Sequence, residues 1–564
     1  MPCLLLVLSM LFLKKGKEKL RSIITATSRI ALLLVLASTI FALMYHDTLT
    51  VAHAALNNTA ILTYKNDSLR SGQNRNETIL NTGNVNASTF GKRISYPVDG
   101  YVYAQPLFMP NLSIKGGTHN VVFVATQHDS VYALDSDRKG TPLTLWHTSF
   151  IDPAHGITTI SSSDANCADI VPEMGITGTP VIDANSGTLY VVAATKENGA
   201  FFQRLHALDI TTGLDKVTPT IIKASIAGSG DGNINGIVHF DALKENQRSG
   251  LLLLNGTVYI AWGSHCDNDP YHGWLIGYNA STLQKITGDV YNDTRNGSRA
   301  GIWMSGGGLA SDTQGNIYFS TGNGTFDLAS GGKNAGDTVV KLSTQSGLRV
   351  ADYFTPFNQS CLEQADADLG SGGTLLLPAQ NELIAIGKEG RIYVVNRLNL
   401  GKYTSIQNPC SNLSRTDVDK VLQELAPGTV GGMWSSPAYW NGSSGKFVYT
   451  AGTDDNLKAF QLNNGLLNPN PTSRTPEQFG FPAGNPIISS NGSTANTGIL
   501  WTIDPTNVLR AYNATNLGNE IYNSNQNQGR DGLPSYVTFS VATVANGRVF
   551  VGTQNTLEIY GLLN

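Results

Sequence analysis

The chain has 564 residues, 14% of them charged and 41% hydrophobic, and its 38 Lys+Arg against 42 Asp+Glu leave a formal net charge of -4. With no basic stripe carrying interleaved aromatics beyond the N-terminal region, this balance argues against a nucleic-acid partner. The length exceeds an ordinary single core, and 59 glycines suit many short strands joined by tight turns, so a β-repeat architecture is expected rather than long helices.

Residues 1–54 differ from everything that follows. Lys14, Lys15, Lys17, Lys19, Arg21 and Arg29 precede an apolar run from Ile30 to Met44, and Ala52-His53-Ala54 has the small-x-small form of a signal-peptidase site. The expectation is a signal peptide and a secreted or extracytoplasmic protein. A short membrane anchor is the alternative, although the run falls below the roughly 20 apolar residues of a spanning helix.

From residue 55 to residue 564 one pattern returns about eight times. An apolar strand, a short turn, a second strand ending aromatic or aliphatic and a polar turn recur from Val121, Leu189, Val258, Asn316, Leu383, Phe447, Ile499 and Val549. A Gly- or Pro-marked strand precedes each unit, as at Thr177, Ser305, Gly370 and Ser435. A lone four-stranded sheet cannot bury both faces, so the spacing predicts an all-β, eight-bladed propeller of four-stranded antiparallel blades. Because the last unit ends at the C-terminus, an N-terminal strand from the segment beginning at Ile61 is expected to complete that blade and remove the exposed edges.

In an oxidising compartment Cys167, Cys266, Cys361 and Cys410 form an even set. Three pairings are open. Cys167 with Cys266 and Cys361 with Cys410 is favoured, because each pair falls in long insertions of neighbouring repeats.

The segment YKNDSLRSGQNRNETILNTGNVNASTFGKRISYPVDG, from Tyr64 to Gly100, resembles the opening segment of pyrroloquinoline quinone dehydrogenases, and the likeness extends over almost all of residues 55–564. The resemblance implies a quinone and a calcium ion held at the axis, and oxidation of a small alcohol or sugar. It points to Glu197 in TKENGAFFQRLHALD, Asn323 in STGNGTFD and Asp366 in ADADLGSGG as oxygen ligands of the metal, which suits a hard cation. Asp366 or Asp368 would take the hydroxyl proton, and Lys388 in IGKEGRIYVVNR would stabilise charge on the reduced ring. Trp274 in YHGWLIGYN or Trp303 in GIWMSGGG would floor the quinone. Each of these residues also has an ordinary turn, hairpin or packing role in such a fold.

Two departures from the family stand out. The adjacent Cys-Cys pair that covers the quinone in many members is missing, and so is a C-x-x-C-H haem attachment sequence. A non-catalytic propeller of the same ancestry, binding protein or glycan at the cell surface, is therefore the second expectation, favoured if the insertions at 161–173 and 408–428 plug the funnel. A rival transition-metal site is open at His265, Cys266, Asp267 and His272 in GSHCDNDPYHGW, provided that Cys266 is free.

Overall fold

Most of the inner strands are short and apolar. Leu375–Leu376, Val181–Asp183 and Ile487–Ser489 are nearly all buried, whereas outer strands such as Arg349–Phe354 and Ser473–Phe479 are largely exposed or half-buried. Sheets with this gradient pack face to face around an axis. The computed structural model, which describes residues 60–378 and 380–563, shows eight such sheets. The expected leader or anchor at residues 1–54 lies outside the described residues. Among those described, no helix is long and apolar enough to cross a membrane.

The inner strands of blades 1 to 8 begin at Leu107, Val181, Leu252, Ala310, Leu375, Ala438, Ile487 and Thr543. Eight separate apolar cores follow, one between each adjacent pair of blades. Trp262 and Trp274 fill the core between blades 2 and 3, for example, and Phe108 stacks on Phe550 between blades 1 and 8. The eightfold repeat read from the sequence is the eightfold ring of the structure. Blade 2 is widened by Ile157–Ser161 and Glu173–Met174, and a two-stranded ribbon, Ser225–Ala227 with Ile237–His239, stands between blades 2 and 3 in the chain.

One expectation needs correction. The outermost strand of blade 8 is Phe90–Pro97, antiparallel to Thr556–Leu562, and not the segment beginning at Ile61. That segment lies on the axis instead. Inner-strand N–H groups of Phe108, Ile182, Ser311, Leu376, Tyr439 and Ile488 donate to the carbonyls of Ile61, Leu62, Ser68, Leu69, Ser71 and Gly72, at 2.8–3.0 Å. Arg70 Nη2 reaches the Leu251 carbonyl beside blade 3, at 3.4 Å, and Asn74 Nδ2 reaches Val544 in blade 8, at 2.9 Å. Only a segment at the hub can touch all eight blades. Its turns, rich in Asn, Asp and Ser, supply the positive φ values at Lys65, Asn66 and Arg70 that let it curl there.

Both favoured disulfides are present. Cys167–Cys266 ties the insertion ahead of blade 2 to the central hairpin of blade 3, and Cys361–Cys410 ties the blade 4–5 connection to blade 5.

Candidate functional site

The T-G-N turn that follows the second strand of blade 4 places Asn323 at the axial mouth. A Cβ on Gly322 would lie 2.4 Å from Asp368 Oδ1, so only glycine lets that carboxylate approach the turn. Asp368 accepts a hydrogen bond from Asn323 N at 2.7 Å, and Asp366 accepts one from Asn323 Nδ2 at 2.8 Å. Asp366 occupies the left-handed cap of the short helix Gln359–Ala365, which turns the chain back toward the mouth. Lys388, leaving the second strand of blade 5, lies 2.5 Å from Asp368 Oδ2 and 3.1 Å from Asp366 Oδ1. Four residues named from the sequence thus meet at one place.

Electrostatics separate their roles. Burial pushes the Asp368 carboxyl above the usual carboxylate range, and the Lys388 ammonium offsets only part of that. Burial lowers the Lys388 ammonium, but the two carboxylates outweigh it and hold it above its ordinary value. Behind them Asp337, fully buried and raised well above its ordinary value by burial and by Asp368, accepts from Leu369 N at 3.1 Å. Asn323 Oδ1 is buried without a partner.

These groups open onto a cavity of ≈ 460 Å³ walled by Trp303, Trp434, Phe481 and Phe539, with Arg248 and Asp267 on its lining. The Lys388 ammonium lies 5.9 Å from the ring centroids of both tryptophans. The loop that carries Trp303 holds Arg299, Ala300, Met304 and Ser305 at positive φ. Backbone strain of this kind concentrates at ligand sites.

Two expected residues lie elsewhere. Glu197 ends the long second strand of blade 2, where it pairs with Arg204 and accepts from Thr195 Oγ1 at 2.7 Å, in a separate groove with Phe150 and His206. Trp274 is fully buried in the core between blades 2 and 3, its Nε1 donating to Glu245 at 3.1 Å, and does not line the cavity. Trp303, the other tryptophan considered, does line it. The rival metal reading loses its thiolate to the Cys167–Cys266 disulfide, and His272 is taken up by Thr294 Oγ1 and the Asp231 carbonyl, both at 2.9 Å.

Sequence reasoning missed Arg248 and Trp434, and it named Asp267 only as part of the rival transition-metal site, not as a residue of the axial cavity. Asp267 sits in the hairpin of blade 3, one blade beyond Glu197, and accepts from Ser264 Oγ at 2.9 Å and Tyr271 Oη at 2.7 Å. Numbering the hairpins from the first inner strand would have found it. Trp434, in G-G-M-W-S-S-P ahead of blade 6, mirrors Trp303 in G-I-W-M-S-G-G ahead of blade 4.

No protein-family model and no curated protein sequence matches the chain. Solved structures do match it. Quinohemoprotein alcohol dehydrogenase from Comamonas testosteroni superimposes with a TM-score of 0.58 at 13% identity, over 89% of this chain and 80% of that one. The chain shares the eight-bladed fold of the quinoprotein alcohol dehydrogenases. The quinohemoprotein enzyme ADHIIG of Pseudomonas putida HK5 gives 0.55 at 14% identity, over 90% of this chain and 80% of its own. A europium-containing methanol dehydrogenase gives 0.56 at 12%, over 90% and 99%. At these identities the likeness carries the fold, and the chemistry must be argued from the axial residues.

Against a quinone and a hard divalent cation, the residues present are a fitting set. The carboxylates of Asp366, Asp368 and Asp267 line the cavity, two tryptophans wall it, and the unpartnered Asn323 amide oxygen belongs to a side chain bonded to Asp366, all hard oxygen donors by type. Among the described residues the three carboxylates do not lie within 4.8 Å of one another, so a bound cation would have to gather them.

Proposed function

We propose that the protein is an exported, quinone- and calcium-dependent dehydrogenase of small alcohols or sugars, working at the axial cavity. The observation that supports this reading best is the meeting of Asn323, Asp366, Asp368 and Lys388, which come from blades 4 and 5 and the connection between them, beside an unpartnered amide oxygen and between aromatic walls. When bound there, the quinone would supply the hydride acceptor and the cation would polarise it. Asn323, Asp366 and Asp267 would hold the cation. Asp368, buried and raised in pKa, is the better placed base for a substrate hydroxyl proton, and Asn323 N fixes the carboxylate that receives it. Lys388 would balance negative charge formed in the cavity, while Trp303 and Trp434 exclude water from it.

A second reading is favoured by the lip. Ala168 and Asp169 of the 161–173 insertion line the cavity, pinned there by Cys167–Cys266, as a non-catalytic propeller displaying loops to a protein or glycan would require. The 408–428 insertion contributes nothing to that lining. Calorimetric titration of the folded protein with pyrroloquinoline quinone and calcium, followed by dye reduction with alcohols and sugars, separates the two. Saturable quinone binding and turnover are expected. Absence of quinone binding would reject the dehydrogenase and leave the display module.

A further inference from the structure

We infer that Arg248 anchors a carboxylate group of whatever ligand occupies the axial cavity. The inference rests on reading that cavity as a ligand site, and it does not require the quinone.

Arg248 stands just ahead of the inner strand of blade 3, is 6% exposed and lines the cavity. Its guanidinium lies 4.2 Å from the Phe539 ring centroid and 5.2 Å from that of Trp303, so two aromatic faces fix its plane. Among the described residues it forms no hydrogen bond and no salt bridge, and its Nη2 is a buried donor without a partner. Asp169, on the exposed lip, acts on it only through space. The other two arginines buried as whole residues among those described, Arg70 and Arg391, are satisfied. Arg70 donates to four carbonyls and a hydroxyl at 2.7–3.4 Å, and Arg391 is held by Glu389 and Glu424.

A buried cation with no acceptor is costly, and proteins keep one where a ligand completes it. The geometry selects the ligand's chemistry. A planar guanidinium held between rings presents its N–H fork edge-on, which suits a planar, bidentate carboxylate better than a hydroxyl. Arg248 and Lys388 lie 5.2 Å and 5.9 Å from the Trp303 ring centroid, so a ligand against that indole would lie near both cations.

The carboxylate could belong to an acidic substrate, such as an aldonate, or to the quinone. Calorimetry on the full chain distinguishes them, with gluconate and glucitol as one matched pair and pyrroloquinoline quinone and its methyl ester as the other. If the substrate supplies the group, gluconate binds about 10- to 100-fold tighter than glucitol, and Arg248→Gln removes that difference. If the cofactor supplies it, the free acid outcompetes the ester by a similar factor, and the same variant levels them. Arg248→Lys, which keeps charge but not the fork, should recover only part of the affinity. The wild-type comparisons stand even should a variant fail to fold. Equal binding of acid and neutral partner in both pairs, or no binding in either, would overturn the inference. Gluconate binding through Arg248 without any quinone binding would uphold it and reject the dehydrogenase.

Discussion

Lys388 Nζ sits 2.5 Å from Asp368 Oδ2, and this contact ties the second strand of blade 5 to the connection that arrives from blade 4. Both side chains are mostly buried, at 15% and 9% exposed, so neither charge is well solvated without the other. Lys388→Gln should therefore cost about 3 kcal/mol in denaturant unfolding, because it strands a buried carboxylate. Adding Asp368→Asn should return part of that loss. A double-mutant cycle with no coupling would show that the pair is not a unit.

The axial carboxylates test the placement of the metal ligands. Asp267→Asn should weaken calcium binding by at least the roughly 10- to 100-fold that loss of an outer-shell partner costs. Glu197→Gln should leave calcium binding unchanged and cost under about 1 kcal/mol, since its partner Arg204 shares a partly exposed hairpin. The reverse ranking in calcium titrations would restore Glu197 to the site.

The ring was legible because its signal repeats. Eight copies of one strand pair, each preceded by a Gly- or Pro-marked strand, admit few folds, and Cys167–Cys266 and Cys361–Cys410 followed from where insertions interrupt them. Asn323, Asp366, Asp368 and Lys388 were named through the family resemblance, by the T-G-N turn, the D-x-D loop and the Lys of IGKEG, and the ring brings those turns and that connection together. Glu197 was misplaced for a reason of scale. The blade 2 hairpin turns in two residues after Glu197, whereas the blade 3 hairpin carries the longer 265–273 loop, and only the three-dimensional ring tells that the longer tip reaches the axial cavity. Arg248 left no local signal at all, since its importance lies in acceptors that are missing around it. The hub role of Ile61–Asn74 was equally hidden, because its partners are backbone N–H groups of six different blades.

Lys65, within that hub, predicts a pH dependence. It is fully buried, donates to the carbonyls of Ser436 at 3.0 Å and Pro486 at 2.5 Å, and burial lowers its pKa to about 7. An unfolded lysine titrates near 10.4, so between about pH 7 and 10 the unfolded chain holds a proton that the folded chain releases. Folding gains stability as pH rises through that window and loses it on descent to pH 7. Lys65→Met abolishes this increment. Unfolding midpoints at pH 6.5 and pH 9 should shift in favour of wild type relative to the variant, and a difference independent of pH would mean that Lys65 stays charged in both states.

Arg70 gives the hub its strongest test. Its Nε donates to the Leu309 carbonyl at 2.8 Å, Nη1 to Tyr64 O at 2.8 Å and Thr63 Oγ1 at 2.7 Å, and Nη2 to Leu251 O. These bonds join the axial segment to the inner edges of blades 3 and 4. Arg70→Ala leaves buried carbonyls without donors, which at 1–3 kcal/mol each should lower stability by about 3 kcal/mol or more. Arg70→Lys, with one nitrogen in place of three, should recover less than half of that. If the axial segment only rests on a ring that is stable by itself, both variants would unfold at the wild-type denaturant midpoint. If the segment is the hub, the midpoint falls in the order wild type, Arg70→Lys, Arg70→Ala, while the slope stays unchanged because the eight inter-blade cores still unfold together.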